Sequence, residues 1–134
     1  MSVSPTTVVL GAGAWGTALA LAQARAGRDV TLWSRSADAA SQINDQQGNE
    51  AYLPGIRFDA PLRVTANAAE ALGDASLVIA VIPAQSLREA LVTLAPHVPA
   101  KIPVILCAKG IEKNTGLLTS AVLRQCLPAN PAAA

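Results

Sequence analysis

Three glycines, an arginine and a lysine carry most of the chemistry within reach of this sequence. Gly11-Ala12-Gly13-Ala14-Trp15-Gly16 spaces its glycines as G-x-G-x-x-G, a spacing suited to holding a pyrophosphate. Gly11 allows a tight turn. Gly13 has no Cβ, so a phosphate can approach the backbone. Gly16 lets a following helix lie close on the preceding strand. Arg35 and Lys109 stand near the ends of apolar runs. A guanidinium there can pair with a 2′-phosphate or lie over an adenine, and an ammonium can hold a phosphate as a point charge.

The elements that must position these residues are legible as strand and helix patterns. Thr6 to Leu10 reads as a short buried strand. The helix over Ala14 to Ala26 stops at Gly27, with Ala18, Leu19, Ala22 and Ala26 as its expected sheet-facing stripe. Asp29 to Ser34 reads as the second strand, completing a right-handed βαβ unit. Ser36 is a candidate cap for a helix over Ala37 to Asp45, and Asn67 for one over Ala68 to Leu72. Between them lie a polar loop from Gln46 to Gly55, long enough to suggest a function, and a third strand over Leu62 to Thr65. Ser76 to Ile82 is the clearest central parallel strand, almost continuously apolar. It delivers Pro83, Ala84 and Gln85 to the start of another helix. A fifth strand over Ile102 to Cys107 delivers Lys109 and Gly110, and a last helix covers Leu117 to Gln125. No structural role is readable for Pro128 to Ala134. The fold class is therefore α/β, a Rossmann-type doubly wound and mostly parallel sheet with helices on both faces. Residues 1–134 form one dinucleotide-binding domain. The glycine loop, Ser34-Arg35, Pro83-Ala84-Gln85 and Lys109-Gly110 share its carboxyl edge, where such sheets bind ligands.

Position 34 or 35 bears on the choice of cofactor. An acidic residue about 20 positions after the glycines would grip a ribose 2′-OH. This chain has Ser34-Arg35-Ser36 instead. NADP(H) is favoured, with NAD(H) as the alternative.

Bulk composition narrows the class. Hydrophobic residues make up 51% and charged residues 14%, which suits elements buried on both faces. A net charge of +1 gives no basic footprint for nucleic acid, and four aromatic residues make no stacking platform. No apolar stretch approaches membrane-spanning length. The apolar run near residues 17 to 24 lacks a basic leader, so it reads as a helix rather than a signal peptide, and the expected location is cytoplasmic. Cys107 and Cys126 read as buried free thiols of a reducing compartment. With His97 the only histidine, no His/Cys metal cluster can be assembled, and Pro96 and Pro99 place it in a loop.

Five stretches together are more specific than the glycine motif. They are Gly-Ala-Gly-Ala-Trp-Gly-Thr-Ala-Leu-Ala at 11 to 20, Leu32-Trp33-Ser34-Arg35, Asn49-x-x-Tyr52-Leu53-Pro54-Gly55, Val81-x-Pro83-Ala84-Gln85-Ser86-Leu87-Arg88 and Lys109-Gly110-Ile111-Glu112. In this order they resemble the N-terminal domain of bacterial NAD(P)-dependent glycerol-3-phosphate dehydrogenase over nearly the whole chain. The resemblance implies reversible reduction of dihydroxyacetone phosphate to sn-glycerol 3-phosphate, feeding phospholipid synthesis. It implies cofactor contacts from Ala14, Trp15, Arg35, Tyr52 and Lys109, with Lys109 also reaching the substrate. The family often has serine at position 14; alanine removes a hydroxyl contact and keeps the backbone N–H. The family's helical C-terminal domain carries the lysine acid/base and most substrate contacts. That domain is absent from these residues, so no catalytic residue is assigned and the chain is expected to bind NADP(H) without turnover. An uncovered apolar face would favour a homo-oligomer. Alternatives are the nucleotide domain of a 2-ketoacid or pantoate-pathway reductase, or a stand-alone NAD(P)-sensing module.

Overall fold

The computed structural model describes residues 5–133. Among them, β1 (Thr6–Leu10), β2 (Asp29–Trp33), β3 (Arg63–Thr65), β4 (Ala75–Ala80), β5 (Val104–Leu106) and β6 (Ala132–Ala133) form one sheet in the order β3-β2-β1-β4-β5-β6. Every pairing is parallel. The helices are α1 (Ala14–Arg25), α2 (Ala37–Gln46), α3 (Ala68–Leu72), α4 (Ala84–Leu94) and α5 (Thr119–Cys126). The strand order reverses between β1 and β4, which opens a crevice at the carboxyl ends of those two strands.

Side chains alternate across β1, so the strand feeds two cores. Val8 and Leu10 pack with Leu87, Leu91 and Leu94 of α4 and Val122 and Leu123 of α5. Val9 packs on the other face with Ala20, Leu21 and Ala24 of α1 and Ala40 and Ile43 of α2. Both faces of the sheet are covered, as the low charge content requires.

Two expectations need correction. The buried stripe of α1 is Gly16, Thr17, Ala20, Leu21 and Ala24, whereas Ala22 and Ala26 are exposed and Ala18 and Leu19 are half-buried. Gly16 sets this phase. A Cβ on it would stand 1.8 Å from the Gly11 carbonyl oxygen, so position 16 must face the sheet, and positions 20 and 24 follow it one and two turns on. The almost uniformly apolar helix gave hydrophobicity nothing to read. The second correction concerns the tail. Pro128 to Ala133 is ordered by β6, which pairs with β5, by the Val104 N–H donating to the Pro131 carbonyl at 2.9 Å, and by Asn130. The buried Asn130 amide donates to the Pro99 and Ile102 carbonyls at 2.8 and 3.0 Å. Ala134 lies outside the described residues.

Smaller differences lie at element ends. β4 leaves the ladder at Ala80, because its neighbour β1 gives way to the Gly11 turn; only the Val81 N–H still donates to Leu10. β5 is three residues long, and α5 begins at Thr119 rather than Leu117. His97 ends a single 3₁₀ turn, Ala95–His97.

Candidate functional site

The crevice is built by turns that follow β1, β2, β4 and β5, which lie side by side. Gly11 leaves β1 at φ +110°, and a Cβ there would come within 2.3 Å of the Val81 carbonyl oxygen. Conformation and space both demand glycine. The Gly11 N–H donates to the Trp33 carbonyl at 3.0 Å, which ties the turn to the end of β2.

Gly13 differs in kind. Its backbone is extended (φ −79°, ψ −170°), and a Cβ would meet no protein atom within 4 Å. Nothing in the fold itself excludes a side chain here; the space lies open at the N-terminus of α1. That terminus has no side-chain cap and no acidic residue in its first turn, whereas Ser36 caps α2 and Asn67 caps α3 as expected. The leading N–H groups of α1, including those of Ala14 and Trp15, are therefore free to meet an anion, reinforced by the helix dipole. A dinucleotide pyrophosphate fits this donor set. Trp15 stands 61% exposed beside it.

Ser34 and Arg35 follow β2. The buried Ser34 hydroxyl accepts from the Ser36 N–H at 3.2 Å and lies 3.3 Å from its carbonyl, so it shapes the turn instead of facing outward. Arg35 is exposed and, among the described residues, makes no ion pair. Tyr52 is also exposed, in a depression it shares with Ala12, Asn49, and Ala39, Gln42 and Ile43 of α2.

The segment after β5 is clamped to α4. Pro83 precedes that helix as its exposed N-cap. The Gln85 amide donates to the Ile111 carbonyl at 2.8 Å and its oxygen accepts from the Lys113 N–H at 3.0 Å. Arg88 makes a two-nitrogen ion pair with Glu112, closest approach 2.9 Å, and the Thr115 hydroxyl donates to the same carboxylate at 2.6 Å. These partners hold the Glu112 carboxyl below the usual carboxylate range and raise the Arg88 guanidinium above its ordinary value. Gly110, at φ +136°, passes so close to α4 that a Cβ would lie 3.1 Å from that of Ala84. Lys109 is thereby presented at the sheet edge, exposed.

The fold thus brings the glycine loop and Tyr52 to one depression, with Arg35, Pro83 and Lys109 along the same edge of the sheet. Sequence reasoning missed two supports. One is the Arg88–Glu112 pair, whose partners are joined only by folding. The other is Asn49, legible in the sequence only as the first residue of the Tyr52 stretch, where its place in a polar loop gave no sign of its burial.

Cys107 and Cys126 are free thiols, half-buried rather than buried, and burial pushes both up. Among the described residues no group of three His, Cys, Asp or Glu side chains could hold a metal ion, and no helix is long and apolar enough to cross a membrane.

Residues 6–134 match the family model described as the NAD-dependent glycerol-3-phosphate dehydrogenase N-terminus. The chain is 51% identical over 134 residues to a glycerol-3-phosphate dehydrogenase [NAD(P)+] of Chelativorans sp. (strain BNC1), covering all of this chain and 41% of that protein. It superposes on the crystal structure of glycerol-3-phosphate dehydrogenase from Coxiella burnetii with a TM-score of 0.88 at 30% identity, covering 96% of this chain and 39% of that one. The Saccharomyces cerevisiae enzyme matches with a TM-score of 0.82 at 25% identity, over 97% of this chain and 41% of that one. The chain accordingly spans about two-fifths of the length of these relatives. A glycine loop at the strand-order reversal and a family match over nearly every residue lead to one assignment: the chain belongs to the family of N-terminal domains of NAD-dependent glycerol-3-phosphate dehydrogenases.

Proposed function

We propose that this domain binds the pyrophosphate of NADP(H) on the N-terminus of α1. It serves a parent enzyme that interconverts dihydroxyacetone phosphate and sn-glycerol 3-phosphate for phospholipid synthesis. The observation that carries the reading is the open position beside Gly13, where an uncapped helix start faces space no protein atom fills. Gly11 and Gly16 shape the loop, and the backbone of Gly13, Ala14 and Trp15 meets the phosphates. Tyr52 and Pro83 border the cofactor. Arg35 pairs with the 2′-phosphate, supported by its exposure and by the lack of a carboxylate at positions 34 to 36; NAD(H) is the weaker ligand. Ser34 acts by holding the turn that carries Arg35. Lys109 reaches both cofactor and substrate phosphate.

The bound nicotinamide supplies the hydride, and a general acid must supply a proton to the developing alkoxide. Lys109 is assigned to binding. The acid belongs to the part of the parent enzyme that these 134 residues do not span. A polypeptide of this sequence therefore binds without turning over. The free thiols support a reducing, cytoplasmic setting. Exposed Ile111 and Leu118, adjacent across a β-bridge, support self-association of the isolated domain.

Calorimetric titration with NADPH and NADH, with a parallel assay of NADPH oxidation by dihydroxyacetone phosphate, tests this. The expected result is binding of both nucleotides, NADPH more tightly, and oxidation at background. Failure to bind either removes the reading. Tighter NADH removes the preference, and oxidation above background removes the division of labour.

A further inference from the structure

The loop from Gln47 to Leu62 is largely exposed, yet Asn49 within it is only 2% exposed while Glu50, Ala51 and Tyr52 face solvent. A buried amide must find partners. Asn49 donates one N–H to the Ala12 carbonyl at 2.9 Å and the other to the Thr17 hydroxyl at 2.8 Å. Both partners flank the open position at Gly13. In a planar trans peptide the carbonyl and the following N–H point in opposite directions. Holding the Ala12 carbonyl toward Asn49 in the interior therefore turns the Gly13 N–H to the side of the loop opposite Asn49. The backbone carbonyl of Asn49 also accepts from the Leu53 N–H at 2.7 Å, closing the turn that carries Tyr52. One residue thus fixes the phosphate loop and the Tyr52 turn against each other.

We propose that Asn49 is a positioning residue of the nucleotide site: it aims the Gly13 N–H at the pyrophosphate and anchors Tyr52 beside the same ligand. The proposal rests on the nucleotide-binding reading above. It requires no contact between Asn49 and the ligand.

The test uses the full 134-residue chain and two substitutions. Asn49→Leu keeps the volume without adding charge and removes both donors. Thr17→Val keeps the packing and removes one anchor. NADPH affinity is measured well below the Tm of each variant, and the Gly13 amide is followed by ¹H–¹⁵N spectroscopy. One misdirected N–H to a charged phosphate weakens binding about tenfold or more. The expected result is that loss for Asn49→Leu, a smaller loss for Thr17→Val, and a Gly13 resonance already displaced in the free variants. A purely structural role lowers Tm and leaves the affinity and the Gly13 response to NADPH unchanged, which overturns the proposal. If Asn49→Leu does not fold, Thr17→Val decides by the same two readouts. Failure of the unmodified chain to bind NADPH or NADH removes the underlying reading instead, a result distinct from unchanged variant affinities.

Discussion

Alanine at Gly13 and alanine at Gly16 should have opposite consequences, although both sit in one six-residue motif. At Gly13 the new methyl meets no protein atom within 4 Å, and the backbone is in a region open to any residue. Replacing glycine by alanine at a helix cap costs up to about 1 kcal/mol, offset by about 0.4–1 kcal/mol from a less flexible unfolded chain. The melting temperature should move by less than about 4 °C. The same methyl occupies the approach to the free N–H groups. Hydrogen bonds to a charged group contribute about 1.5–3 kcal/mol each, so displacing a phosphate from two of them weakens binding at least about a hundredfold. At Gly16 the methyl would lie 1.8 Å from the Gly11 oxygen, and α1 must lift off the sheet. Overpacking of this kind costs about 3 kcal/mol or more, a fall of roughly 10 °C. Scanning calorimetry of the ligand-free proteins reads stability. Titration followed by fluorescence of the exposed Trp15 reads affinity. Wild-type affinity in Gly13→Ala, or unfolding of Gly13→Ala to the extent of Gly16→Ala, refutes the reasoning.

Three further outcomes are expected. Arg35→Ala should weaken NADPH about tenfold, the loss of one charge-assisted pair, and leave NADH within about threefold; equal losses would show that Arg35 does not read the 2′-phosphate. The folded Glu112 carboxyl titrates below its unfolded value, so its contribution to stability is complete above the usual carboxylate range and is lost as pH falls through the depressed value. Glu112→Gln should therefore melt below wild type at neutral pH and converge with it in acid, and a gap independent of pH contradicts the clamp. Asn130→Ala leaves the Pro99 and Ile102 carbonyls without their donor, and should cost about 1–3 kcal/mol in stability without altering nucleotide affinity. Unchanged melting would show that the tail is not held by this residue.

The strands and helices were legible because burial on both faces leaves long apolar runs and the caps are local chemistry: Ser36 and Asn67 each accept from a backbone N–H three residues on. The candidate site was legible where a single position has to satisfy a backbone constraint, as at Gly11 and Gly16. What escaped depends on partners distant in sequence. The rotation of α1 was decided by contact between Gly16 and Gly11, not by hydrophobicity. The tail looked featureless because the backbone of β5 and the carbonyls of Pro99 and Ile102 order it, and composition records neither. Asn49 reads as one more residue of a polar loop until its amide is seen on the Ala12 carbonyl and Thr17.

The contact between Gly11 and Val81 also sets a timetable for the chain. β1, α1 and β2 leave the ribosome before β4, but one wall of the glycine turn is the Val81 carbonyl just past β4, and the Ser76 hydroxyl reaches the Thr6 carbonyl across seventy residues. At about 5–20 residues per second, this interval leaves the glycine loop without that wall for several seconds of synthesis. Long-range closure of this kind slows folding relative to the neighbouring βαβ unit. The glycine turn is therefore made well before it is finished, and takes its folded shape only after β4 has emerged and docked.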